Sequence, residues 1–215
     1  MDALTIAQNR YTSKAYDASK KIPQDTLNNF LEILRLTPSS INIQPWQFIV
    51  AQSDQAKQNI SHAMPDHFAY NIPKVLHASE VIIFTAKTDI DQHHLDAIIE
   101  AEDQAGRFRT PESKQAQKET RTRYIELYKT KDIHRWVDNQ IHIALGSALY
   151  AAKSLGIDAT AIGGFDLTLL DQHLNLTAQG LRSVVLLSLG YHSTEDFNAD
   201  LPKARLTRDA VTQII

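Results

Sequence analysis

Apolar positions along the chain follow two patterns, and each predicts a different kind of element. In the first, they recur every three or four residues. Pro23–Leu36 sets Leu27, Phe30, Leu31 and Leu34 on one stripe behind an N-terminal proline, which predicts an amphipathic helix ended with the help of Pro38. Asp2–Asn9, Asp54–Ala63 and Leu167–Leu174 read as shorter helices. In the second pattern the apolar run is unbroken. Val81–Ala86 and Ser183–Leu189 predict strands covered on both faces, and Gln47–Ala51 and Asp158–Ile162 predict two more. Trp136–Leu155 is apolar or small almost all round, which predicts a helix of about 30 Å enclosed on every side. Its small residues suggest close packing on another helix, so a two-fold partner is expected there, with Gly156 as C-cap. Within it His142 reads as a satisfied core histidine rather than a base.

The segments between are polar. Asp89–Tyr128 reads as a helical arm that divides near Gly106–Pro111 and leaves the core to cover a pocket. On it Arg121, Arg123 and Lys129 stand near Glu119 and Glu126, a solvated face. Met64–Lys74 reads as a loop with two prolines and the aromatics Phe68 and Tyr70, a composition that suits a pocket lining or a plug at a core edge. No repeat, low-complexity stretch or domain boundary interrupts residues 1–215, so a single domain is expected.

Composition narrows the function classes. A net charge of −3 argues against nucleic acid or an anionic membrane as partner. The absence of cysteine excludes thiol catalysis, disulfides and cysteine-ligated zinc. The N-terminus lacks a basic region followed by an apolar run, and no run approaches membrane-spanning length, so a cytoplasmic protein is expected. Seven glycines form neither Gly-x-Gly-x-x-Gly nor a P-loop. His93 and His94 with Asp91 and Asp96 only loosely resemble a metal cluster, and no Gly-x-Ser-x-Gly elbow accompanies the serines.

Candidate chemistry concentrates in Pro38-Ser-Ser-Ile-Asn-Ile-Gln-Pro-Trp46. Two prolines fix the backbone, Ser39, Ser40, Asn42 and Gln44 donate and accept, and Trp46 supplies an amphipathic wall. Such a loop suits a flat, polar-edged ligand, and the same composition describes an ordinary turn. Arg10-Tyr-Thr-Ser-Lys14 places two cations around two hydroxyls, which suits a phosphate or a solvated basic turn.

Together with Phe68–Lys74, Glu102–Phe108, Ile162–Asp166 and Gly190–Leu206, these segments occur in an order and spacing that strongly resemble the oxygen-insensitive, FMN-dependent NAD(P)H nitroreductases of enteric bacteria, from about residue 2 to residue 207. The resemblance implies an α+β fold: a mainly antiparallel sheet of four or five strands flanked by helices, in an intertwined homodimer with two FMN sites. It assigns Arg10, Thr12, Lys203 and Arg205 to the phosphate and ribityl side of FMN, Lys14 and Asn71 to the pyrimidine edge, and Tyr11 to the wall of the cofactor site. Pro38, Ser39, Ser40 and Asn42 match positions that close the site from the other subunit, and Gly163 and Gly164 match the pair facing flavin N5. Lys14, Lys74 and Arg107 match nicotinamide-nucleotide positions; Ser40, Ile41, Phe68, Tyr70 and Tyr124 match the acceptor channel. The implied activity is ping-pong hydride transfer from NAD(P)H through FMN to a nitroaromatic or quinone, with no side chain acting as nucleophile.

Several positions depart from the family pattern. Gly163 stands where a glutamate is usual, Ile41 for threonine, Phe68 for tyrosine, Tyr124 for phenylalanine, and Tyr11-Thr12 for His-Ser. A flavin reductase, a dihydropteridine reductase or another side branch of the fold is therefore an alternative. So is a flavin-binding protein without turnover, or a cofactor-free helical dimerisation protein. The apolar C-terminal end, Val211–Ile215, is either frayed or an added strand on a partner's sheet.

Overall fold

A computed structural model describes residues 2–215. Helix α1 (Ala3–Asn9) starts at Asp2, whose carboxylate accepts from the Thr5 amide at 3.0 Å. The predicted stripe forms α2 (Gln24–Arg35), with Leu27, Phe30 and Leu34 buried. Strand β1 (Trp46–Ala51), α3 (Asp54–Ser61) and the short α4 (Ile72–Leu76) lead into β2 (Glu80–Lys87). The polar arm is α5 (Gln92–Gln104) and α6 (Pro111–Lys129), divided where expected. Then come α7 (Ile133–Ser154), β3 (Asp158–Ile162), α8 (Leu167–His173), β4 (Leu181–Gly190) and the single turn α9 (Arg208–Val211).

The four strands form one sheet in the order β1-β2-β4-β3, every pairing antiparallel. Alternation along the central strands sorts the core. Ile82, Phe84 and Ala86 of β2 face one cluster with α2 and α7, while Val81 and Ile83 face a second with Ile60, Met64, Val75 and Leu170. Helices thus cover both faces of the sheet, which is why β2 and β4 need no polar face.

Three expectations are corrected. Met64–Lys74 is not a plain loop: Asp66–Asn71 forms a 3-10 turn that runs into α4, because Pro73 is tolerated in the first turn of a helix. Helix α7 is not enclosed on every side within one chain. His142, Ile143, Gly146 and Tyr150 are exposed along one face, so His142 is not a core histidine; its Nδ1 lies 2.8 Å from the Asp138 carbonyl. Arg121 does not share the solvated face of Arg123 and Lys129. It is 1% exposed, because its side chain turns inward onto Glu102 of α5. Gly156 does follow α7 in the left-handed region at φ +75°, where glycine carries no steric cost. The apolar end from Thr212 to Ile215 forms no strand in the chain and is exposed. No described helix is long and apolar enough to cross a membrane.

Candidate active site

The basic segment after α1 is stitched to the edge of the sheet. Thr12 bridges Ala159 of β3, and Tyr16 bridges His192 just past β4. A buried polar network fixes the backbone between them. Asp196 accepts from Ser13 Oγ at 2.6 Å and from the Lys14 amide at 3.1 Å, and Asn198 donates to the Thr12 carbonyl at 2.7 Å. Tyr16 donates to Ser188 O at 2.9 Å. These contacts join the start of the chain to residues more than 140 positions later, so no local pattern announces Asp196, Asn198 or Thr160 as part of the site.

This stitching makes one wall of a cavity of about 390 Å³, whose other wall is the segment after Asn198. Arg10, Tyr11, Thr12, Lys203 and Arg205 all line it, so the structure brings these sequence candidates together. Lys203 donates to the Arg10 carbonyl. Its ammonium is held below the usual lysine range, by burial first and then by repulsion from Arg10 and Arg205. Tyr11 is pushed up by burial and by Asp158, and its buried hydroxyl has no partner within the chain.

A second group forms where the 3-10 turn meets the end of β3. Asn71 donates to the Gly164 carbonyl at 2.9 Å, and Lys74 donates to Asn71 Oδ1 at 2.8 Å with its ammonium 4.8 Å from the Tyr70 ring centroid. The Lys74 ammonium is held below the usual lysine range by burial and then by the charge of Lys14. Gly164 is required here: a Cβ would stand 2.7 Å from Asn71 Nδ2 and 3.1 Å from the Phe68 ring. Gly163 faces open space, so its missing side chain widens the site rather than relieving a clash.

Arg10, Lys14, Lys74, Lys203 and Arg205 share one property. Among the described residues none of them has a carboxylate within ion-pair distance. Three of them, Arg10, Lys203 and Arg205, line the one cavity, where their mutual repulsion favours an anion. The donor set therefore fits the phosphate and the acceptor-rich ring edge of FMN.

The Pro38–Asn42 loop lies elsewhere. Ser40 donates its amide to Gln140 of α7 at 2.8 Å, and Asn42 donates to Glu102 of α5 at 2.8 Å. His94, lowered chiefly by burial, gives its Nε2 hydrogen to the Ile43 carbonyl at 2.7 Å. Ile41, Asn42 and Gln44 all have left-handed backbones, at φ +50°, +56° and +44°. For the β-branched Ile41 that geometry costs about 1–3 kcal/mol. Arg121 offsets it by donating Nε to the Ile41 carbonyl at 3.0 Å while gripping both Glu102 oxygens at 2.8 and 3.0 Å. Breaking such a buried pair typically costs about 3–5 kcal/mol, more than the strain it holds. Sequence reasoning missed both residues, since an arginine in a charged helix shows no sign of burial.

Within one chain this loop does not join the cationic cavity. It precedes β1, at one edge of the sheet, while Gly163-Gly164 follows β3 at the other. Three strand spacings separate those edges by about 14 Å. Arg107 lies on the exposed α5–α6 turn with Arg109, and Tyr124 is exposed on α6; neither joins the Lys14–Lys74 group by a hydrogen bond among the described residues.

Fold and site together define an α+β protein with an anion-seeking cleft at the sheet edge. The chain belongs to the nitroreductase family, whose profile matches residues 7–191. It is 38% identical over 208 residues to the oxygen-insensitive NAD(P)H nitroreductase of Salmonella typhimurium, covering 96% of each chain. It is 37% identical over 211 residues to the major NAD(P)H-flavin oxidoreductase of Aliivibrio fischeri, covering 97% of this chain and 96% of the relative. A family structure from Exiguobacterium sibiricum, solved in complex with FMN, superposes with a TM-score of 0.76 at 21% identity over 100% of this chain and 98% of that one.

Proposed function

We propose that the chain is an FMN-dependent NAD(P)H oxidoreductase that works as a homodimer and delivers two electrons to a nitroaromatic or quinone. The observation that carries this reading is the set of uncompensated cations around the cavity after α1. The names of the relatives from Salmonella typhimurium and Aliivibrio fischeri, and the FMN complex of the structural relative, support the same chemistry.

Arg10, Lys203 and Arg205 hold the phosphate, with Thr12 beside it. Lys14 and Asn71 meet the polar edge of the ring, and Gly163 and Gly164 face N5, Gly163 in open space. Bound FMN supplies the hydride acceptor for NAD(P)H and the two-electron donor to the acceptor. Lys74 and Arg107 attract the anionic nucleotide. Ser40, Ile41, Phe68, Tyr70 and Tyr124 shape the acceptor channel. Pro38, Ser39, Ser40 and Asn42 close the site from the second subunit, across the exposed face of α7. No nucleophilic side chain is needed, and water supplies protons. Residues 1–215 act as one domain, and the protein is cytoplasmic.

A free flavin as acceptor is the second reading, favoured by the flavin oxidoreductase of Aliivibrio fischeri at 37% identity. The test is spectroscopic. Purified protein is expected to be yellow, to bleach on NADH or NADPH under nitrogen, and to regain colour on a quinone, a nitroaromatic or free riboflavin. Colourless protein that ignores added FMN would overturn the reading; yellow protein that neither nucleotide bleaches would leave only a flavin-binding role.

A further inference from the structure

One buried charged pair is not used by the chemistry above. Arg121 of α6 and Glu102 of α5 lie beneath the polar arm, 1% and 5% exposed. Their contacts converge on two neighbouring loop residues, the Ile41 carbonyl through Arg121 Nε and the Asn42 amide group through Glu102 Oε1. Those residues are left-handed, at φ +50° and +56°. One further donor, Arg121 Nη1, is buried without a partner in the chain. A pair serving only to dock α5 on α6 has no need to reach the loop backbone, and no need to hold a β-branched residue in a conformation it avoids.

We propose that Arg121 and Glu102 are positioning residues that set acceptor selection. The pair pins the Ile41–Asn42 backbone, and with it fixes where the Ser40 and Ile41 side chains stand. Tyr124 sits one turn beyond Arg121 on α6, so one arginine sets both the loop and the helix that shape the acceptor channel. The proposal rests on the reading of Ser40, Ile41 and Tyr124 as channel residues.

Two variants of the FMN-loaded enzyme separate positioning from stability. The double variant Glu102→Leu with Arg121→Met removes both charges together, so no buried charge is orphaned and the fold is kept. It also releases Ile41 and Asn42. Glu102→Gln keeps an oxygen for Asn42 and for Arg121 but leaves the arginine's charge unbalanced. The measurements are melting temperature, the rate of anaerobic flavin reduction by NADH, and KM and kcat for p-benzoquinone and for menadione.

In the double variant, acceptor KM is expected to rise about tenfold with kcat within about twofold, and the menadione-to-benzoquinone preference to change. Its melting temperature stays near wild type, and because Asn42 also closes the FMN site the reductive rate falls, but by less than the acceptor KM rises. In Glu102→Gln the melting temperature falls while acceptor KM stays within about twofold of wild type. The proposal is overturned if KM follows melting temperature across both variants, or if the folded double variant keeps the wild-type KM and preference. A wild-type protein that retains no FMN or reduces neither quinone defeats the functional reading itself, a result distinct from these.

Discussion

Lys203 carries the sharpest consequence at the scale of single residues. Burial, then Arg10 and Arg205, all disfavour the charge of its ammonium. A bound phosphate reverses the balance, so binding at alkaline pH draws a proton onto the side chain. FMN affinity should therefore fall as pH rises through the depressed pKa of Lys203, and Lys203→Met should flatten that profile in a fluorescence titration. At neutral pH the same substitution should weaken FMN binding by about tenfold to a hundredfold, the worth of a hydrogen bond to a charged group. Lys74 works in the same sense on stability. Its pKa is lower in the fold than the ordinary 10.5, so the unfolded chain binds more protons in the interval between the two values. Stability contributed by this residue accordingly rises with pH across that interval, and Lys74→Met in the FMN-free protein should melt higher than wild type at neutral pH and lose that advantage in alkali. Gly164→Ala is the steric counterpart. With a Cβ 2.7 Å from Asn71 Nδ2, the Asn71–Gly164 hydrogen bond must open, and FMN retention through gel filtration should drop.

Between elements, the stitched segment after α1 makes its own prediction. Asp196→Ala removes the acceptor of both Ser13 and the Lys14 amide, so the cradle backbone loosens without any loss of positive charge. Hydrogen exchange at residues 12–16 should quicken, and FMN should leave faster while the salt dependence of its binding is unchanged. This is also the scale at which the reach of the sequence becomes clear. The two central strands and α2 were legible because burial on both faces, or on one stripe, writes itself into adjacent residues. Arg10, Lys203 and Arg205 were found through resemblance, and the fold places them around one cavity. The roles of Asp196, Asn198, Glu102 and Gln140 were not legible because each is polar and its partner lies on another element. Arg121 was misread for a related reason: helix periodicity tells which residues share a face, but not whether another helix lies on it. His142 erred the other way, since an apolar surrounding sequence also describes a face that the chain itself leaves exposed.

For the whole molecule, the face of α7 left open by the chain is decisive. Ile143 and Tyr150 are large, apolar and about 45% exposed, and Gly146 between them has nothing within 4 Å of where a Cβ would stand. Gly146→Arg therefore fits the isolated subunit without strain. It should yield a folded monomer by sedimentation equilibrium, and FMN binding should be lost with the dimer. A variant that stays dimeric, or a monomer that holds FMN at wild-type affinity, would contradict the proposed assembly.

The strand order has a genetic corollary. The cationic cavity and the proline loop stand at opposite margins of the sheet, so in the proposed homodimer each active centre would borrow one half from either polypeptide. Two defective alleles, one damaged at Lys203 and the other in the Ser39–Asn42 loop, would then rescue each other when co-expressed. A mixed pair concentrates both lesions in one centre and leaves the other whole, restoring up to one intact centre per hybrid where each parent has none.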